Sequence, residues 1–106
     1  MADFHLKAGD LLPALTAALK DGNGSPIDLT GATVTFRMRK RGATALTVDA
    51  AASVVSAAAG TVRYDWLAGD TDAHGLYDAE FRCELAGGRE TVPNDRYITV
   101  RIQSVL

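Results

Sequence analysis

The sequence holds a single cysteine, Cys83, two histidines, His5 and His74, and only three prolines in 106 residues. One cysteine cannot close an internal disulfide, so a disulfide-rich secreted scaffold is excluded and the redox compartment is otherwise left open. No stretch approaches the ~18 consecutive apolar residues of a membrane-spanning helix. The segment from Met1 to Asp10 carries acidic residues and no apolar core of signal-peptide length, so a soluble chain without a recognisable export signal is expected. A basic excess is missing too: 11 Lys and Arg against 13 Asp and Glu give a net charge of −2, the opposite of the balance a general nucleic-acid binder carries. The asymmetry along the chain is mild, +1 through Ser53 (six basic, five acidic) and −3 after it (five basic, eight acidic).

What is present is ordinary in amount and informative in order. A hydrophobic fraction of 47% with 23% charged residues excludes collagen-like and highly charged disordered classes. The length predicts one domain spanning 1–106, large enough to build a core without metal or disulfide staples. Gly-containing turn candidates recur at Asp21-Gly22-Asn23-Gly24, Ala59-Gly60 and Ala86-Gly87-Gly88, and between them the apolar period is two. Val34, Phe36 and Met38 alternate with Thr33, Thr35, Arg37 and Arg39. Val62, Tyr64 and Trp66 alternate with Thr61, Arg63 and Asp65. Tyr77, Ala79, Phe81, Cys83 and Leu85 alternate with Asp78, Glu80, Arg82 and Glu84; Ile98, Val100 and Ile102 alternate with Tyr97, Thr99, Arg101 and Gln103. Each pattern predicts a strand with one buried and one wet face.

Two segments have helical composition, Leu11 to Lys20 and the alanine-rich Ala50 to Ala59. Pro13 and the alternation of Leu15, Ala17 and Leu19 favour a strand in the first. The β-branched Val54 and Val55, with the Gly60 turn behind them, favour a short strand around Ser53 to Val55 in the second. The pattern as a whole predicts an all-β fold, an immunoglobulin-like antiparallel β-sandwich of about seven to eight strands. Tyr77, just after the turn at His74-Gly75, is expected to form a tyrosine corner, its hydroxyl bent back to a backbone group upstream, against the alternative of an ordinary core tyrosine. Trp66, in phase with Val62 and Tyr64, reads as core rather than as a stacking platform for bases.

Candidate chemistry is sparse. No His or Cys pair has metal-ligand spacing, and Asp65, Asp70 and Asp72 read as turn and cap residues rather than a calcium loop. Ser25, Ser53, Ser56 and Ser104 lack a nucleophile-elbow context, Cys83 falls on a buried phase, and Gly22-Asn23-Gly24 lacks the Gly-Lys-Ser/Thr ending of a phosphate loop. No catalytic residue, cofactor site, metal site or small-molecule substrate is predicted. One charge feature stands out: Arg37, Arg39 and Arg41 share a face of one strand. This stripe is either a contact for an acidic partner or phosphate, or a solvated sheet face neutralised by Asp78, Glu80 or Glu84 on a neighbouring strand.

Three stretches together resemble a known family. They are Leu6-Lys7-Ala8-Gly9-Asp10-Leu11-Leu12-Pro13 with Leu19 to Val34, including Asp28-Leu29-Thr30-Gly31-Ala32; then Gly60 to Trp66 with Gly69 to Phe81; and Pro93 to Val100. This order resembles the N-terminal domains of phage baseplate upper proteins and related short phage virion proteins. The resemblance implies an immunoglobulin-like sandwich used as a structural module of tailed-phage or prophage particles, with no catalytic residues. It further implies other phage structural proteins as partners, a symmetric oligomer, no nucleic-acid or membrane partner, and location in a virion assembled in the bacterial host cytoplasm. A full baseplate protein is expected to continue past the sandwich, whereas this sequence stops at Leu106, so tail, head-to-tail connector and capsid surface stay open as positions. Capsid decoration, or a host-surface or carbohydrate-binding role, is the alternative. The segment Pro93, Asn94, Asp95 and Tyr97 is the first candidate partner contact, because Pro93 lacks a ladder donor and Tyr97 lies opposite the buried Ile98 phase; a bulged edge strand is the plainer reading. Arg37, Arg39 and Arg41 are the second.

Overall fold

The computed structural model describes residues 3–93 and 96–106 and resolves the alternation into nine strands in two packed sheets. The strands are β1 (Asp3–Lys7), β2 (Leu15–Ala18), β3 (Thr33–Lys40), β4 (Val48–Ala51), β5 (Ser53–Ser56), β6 (Thr61–Tyr64), β7 (Gly75–Leu85), β8 (Gly88–Val92) and β9 (Ile98–Gln103). The larger, six-stranded sheet runs β1-β9-β7-β3-β4 with β8 also on β7, and the smaller sheet runs β2-β6-β5. All-β architecture is as the alternation predicts. The wholly antiparallel expectation is corrected: β1 pairs with β9 in parallel, Asp3 opposite Thr99 through Lys7 opposite Gln103, so the larger sheet is mixed. A parallel pair needs a long crossover between its strands, and here the whole run from β2 to β8 serves as one.

The core lies where the two inner faces meet. Phe36, Phe81, Tyr64, Tyr77 and Trp66 are all buried, with Val34, Met38, Ala79, Cys83, Val100 and Ile102 from the larger sheet and Leu15 and Val62 from the smaller. Phe36 stacks on Tyr64 at 4.6 Å between centroids and meets the Trp66 edge at 5.7 Å and Phe81 at 5.1 Å, so one aromatic cluster joins the sheets. Such pairs add about 0.5–1.5 kcal/mol each beyond area burial. The strand expected around Leu15 to Leu19 is β2, and that around Ser53 to Val55 is β5; helical composition lost to burial of Leu15 in β2 and, in the wholly exposed β5, to the ladder that β6 offers.

Chain reversals follow local chemistry. The Asp21 carboxylate accepts the amides of Asn23 and Ser25, and the loop closes on a bridge between Lys20 and Pro26 rather than on a two-strand hairpin. Gly60 is the turn residue with the least room: at φ +68 a Cβ would stand 2.7 Å from the Leu19 carbonyl oxygen and 2.8 Å from that of Ile27. The β7–β8 hairpin turns on Ala86 and Gly87, with Leu85 opposite Gly88. After Ala51 the chain passes from the larger to the smaller sheet at Ala52, whose amide donates to Val34.

Candidate interaction surface

The register of β3 against β7 builds the outer face of the larger sheet. Arg37 lies opposite Glu80 and Arg39 opposite Asp78, while on its other side Arg37 faces Asp49 of β4. Side chains opposite one another on a sheet face lie close enough to pair, and Arg37 does so with both its neighbours, whereas Asp78 is taken by Arg41 rather than by Arg39. Arg37 stands 3.7 Å from Asp49 and 3.8 Å from Glu80, and Arg41 donates to Asp78 at 3.0 Å and to the Thr99 hydroxyl at 3.3 Å. Two of the acids expected to neutralise the stripe, Asp78 and Glu80, do so. Glu84 instead takes Arg89 at 2.8 Å and Arg82 at 3.9 Å. Exposed pairs of this kind are worth about 0–1 kcal/mol each, so the lattice organises the surface more than it stabilises the fold.

The second candidate segment arises from a mismatch along β7. Val92 of β8 lies opposite Phe81, and Ile98 of β9 lies opposite Ala79. Between those pairs β7 uses one residue, Glu80, where the opposite strand uses five, 93–97. The ladder on β7 is therefore interrupted between Val92 and Ile98, as at a β-bulge, and such an interruption re-aims the side chains beside it. Pro93, directly after β8, is half-buried, and Tyr97 is 42% exposed, on the face opposite Ile98 as the alternation predicts. Asn94 and Asp95 lie outside the described residues. Arg96 adopts φ +67, a region that residues other than glycine seldom occupy.

The fold brings the two candidate groups together. The Arg39 guanidinium lies 5.7 Å from the Tyr97 ring centroid, a cation–π distance. With Arg37, Thr44, Leu46, Asp78 and Glu80 they line a groove of about 200 Å³, and a second hollow beside it is lined by Arg41, Asp78, Arg96, Tyr97 and Thr99. Sequence reasoning missed Leu46, Thr44 and Asp49 as neighbours of the stripe, because their approach depends on how β4 and the loop before it fold back on β3.

The groups considered for chemistry are held in structural roles. Asp70 accepts the Tyr64 hydroxyl and the Leu67 amide, and Asp65 pairs with Arg63 at 2.8 Å. Burial and, after it, the bond to Asp70 raise the Tyr64 phenol far above its ordinary value. Burial, with Glu90 and Glu84 nearby, pushes the Cys83 thiol up to about 11. The Tyr77 hydroxyl donates to the Ala73 carbonyl at 2.6 Å, the bond expected of a tyrosine corner, and burial raises its phenol as well. Among the described residues no three His, Cys, Asp or Glu side chains gather as a metal-binding group.

Two packed β-sheets, the larger carrying an ion-paired outer face with an exposed tyrosine beside it, define an all-β two-sheet domain. The BppU N-terminal domain model matches residues 5–101, and the chain belongs to that family, the N-terminal domain of the phage baseplate upper protein. It is thus a phage baseplate structural domain, a component of the virion that contacts other phage structural proteins, in a family not known as catalytic. No curated protein matches the chain.

Proposed function

We propose that this chain is a non-enzymatic structural module of the tail or baseplate region, acting through protein–protein contacts as one copy in a symmetric oligomer. The particle would assemble in the bacterial host cytoplasm. The family match over residues 5–101 carries this reading. The contact surface we assign is formed by Arg37, Arg39 and Arg41 with Tyr97 as anchor, and it takes in the candidate segment Pro93, Asn94 and Asp95. Its support is the convergence of two distant segments on one exposed aromatic–arginine pair, since tyrosine and arginine are enriched at interface hot spots. An immunoglobulin-like sandwich is the finer fold reading. The order β2-β6-β5 against β4-β3-β7-β9, together with the Tyr77 bond, supports it.

Quantitative mass spectrometry of purified particles, with antibody-gold labelling, tests the position. Label at the tail or its tip in a copy number of cyclic symmetry is expected; label on the head would replace this reading with capsid decoration. Arg39→Glu combined with Tyr97→Ala is expected to lower incorporation at least tenfold while leaving the thermal midpoint of the free chain in place. Undiminished incorporation would remove the groove from the contact.

A further inference from the structure

The exposed large apolar side chains are unevenly placed. None lies in the turns 20–32, 57–60 or 86–87 at one end of the sandwich, whereas Leu11, Leu12 and Leu67 stand 40%, 74% and 58% exposed at the other. The two loops that carry them are bound to each other. Gly9 donates to the Thr71 carbonyl at 3.0 Å, the Thr71 hydroxyl donates to the Asp10 carbonyl at 2.9 Å, and the Trp66 ring nitrogen donates to the Pro13 carbonyl at 3.2 Å. Thr71 has no exposed surface and Trp66 is buried, so the loop holding Leu11 and Leu12 is tethered at both sides by core side chains. Asp70 stiffens the other loop by accepting the Leu67 amide and the Tyr64 hydroxyl. Leucines held in water on pre-ordered loops lose little conformational freedom when covered, which favours binding.

Charge indicates what covers them. Residues 8–13 and 65–72 contain Asp10, Asp65, Asp70 and Asp72 and no Lys, Arg or His. Asp65 is neutralised by Arg63 and Asp70 is engaged internally, whereas Asp10 and Asp72 form no ion pair among the described residues. Of the basic side chains that flank these segments in sequence, Arg63 is spent on Asp65, and Lys7 and His74 line a separate hollow with Arg101 and Gln103. We propose that this loop end is a docking surface for another protein of the particle whose contact patch is apolar at its centre and rimmed by Lys or Arg. The inference rests on the baseplate reading, and it concerns a surface separate from the Arg39–Tyr97 groove. Apolar contact supplies the affinity, and the carboxylates select the partner's charge and orientation.

Thiol labelling in assembled particles tests it, because Cys83 is buried and its thiol is held unreactive. Thiols introduced by Leu12→Cys and Leu67→Cys should react with a maleimide at least tenfold more slowly in the particle than in the free chain, while one introduced by Ala86→Cys at the opposite end reacts equally in both. Equal reactivity of the first two in particle and free chain, or equal protection at Ala86, overturns the assignment. The double variant Asp10→Lys with Asp72→Lys should lower incorporation at least tenfold; unchanged incorporation overturns the basic partner. Self-association of the free chain in sedimentation, abolished by Leu12→Lys, would make the contact homotypic and overturn the heterologous one. Absence of the chain from the particle overturns both this inference and the baseplate reading, whereas a present chain with a reactive loop end overturns this inference alone.

Discussion

The outer faces of the two sheets are made by the same alternation and differ sharply in what they show to solvent. On the larger sheet the outward positions of β3 and β7 are Thr33, Thr35, Arg37, Arg39, Asp78, Glu80, Arg82 and Glu84, a lattice of opposite charges set by register. On the smaller sheet the corresponding positions of β2 and β6 are Thr16, Ala18, Thr61 and Arg63, and β5 adds Ser53 and Ser56. Arg63 is the one charged group among them, and its partner Asp65 lies only two residues further along the chain. Strand alternation decides only that a face is wet; the residues chosen for that face decide whether it can discriminate partners. Charges on the larger sheet give it a pattern that a complementary surface can read, at little gain in stability. The smaller sheet's face of short side chains offers no such pattern.

That contrast between faces should invert on the inner side, where both sheets contribute apolar bulk but unequal amounts. Phe81→Ala on the larger sheet removes a wholly buried ring from the aromatic cluster and is expected to cost about 3–5 kcal/mol in denaturant unfolding. Val62→Ala on the smaller sheet, equally buried, removes fewer contacts and should cost distinctly less. Equal losses would mean that the two inner faces contribute alike and that the cluster is not centred on the larger sheet.

Alkaline pH tests both inner faces at once. Cys83 under the larger sheet and Tyr64 under the smaller have folded-state pKa values raised above their ordinary ones, so the folded chain holds protons that the unfolded chain releases. Stability is therefore retained below the unfolded thiol value of 9.0 and falls as pH rises towards about 11. Unfolding free energies measured from pH 7 upward should show the decline, and Cys83→Ala should flatten its first part. A profile that stays level through pH 11 would contradict the burial of these groups.

The smallest expected effect lies on the outer faces. Arg37→Ala should lower stability by about 0–1 kcal/mol, with a dependence on salt concentration, because Asp49 and Glu80 lose their shared cation. Thr61→Ala on the smaller sheet should show no salt dependence. Measuring both at low and high ionic strength separates a charge-patterned face from a neutral one.

How much of this was readable beforehand varies strand by strand. β3, β6, β7 and β9 carry several alternating apolar residues each, so composition and period coincide and the strands are plain in the sequence. β8 has a single buried side chain, Val92, and β4 likewise only Val48; each is a strand because a neighbour offers a ladder, which no local pattern announces. The tyrosine corner was legible because donor and acceptor are four residues apart. The Arg39–Tyr97 pair was not, since five strands, β4 to β8, lie between its halves in sequence. Leu11, Leu12 and Leu67 read in sequence as unremarkable apolar residues, and only the hydrogen bonds of Thr71 and Trp66 place them together at one end.

The sequence by itself determined that the chain is all-β, which side chains face inward, and, through the order of its motifs, the family to which it belongs. These are short-range matters: a period of two is written residue by residue, and turn chemistry acts within a few positions. Tertiary structure alone decided the parallel pairing of β1 with β9, the interruption of the ladder on β7 between Val92 and Ile98, and the meeting of distant side chains in one groove. The physical reason is that strand direction, register and sheet order are set by the best joint burial of all inner faces at once, a sum over the whole chain that no single segment contains.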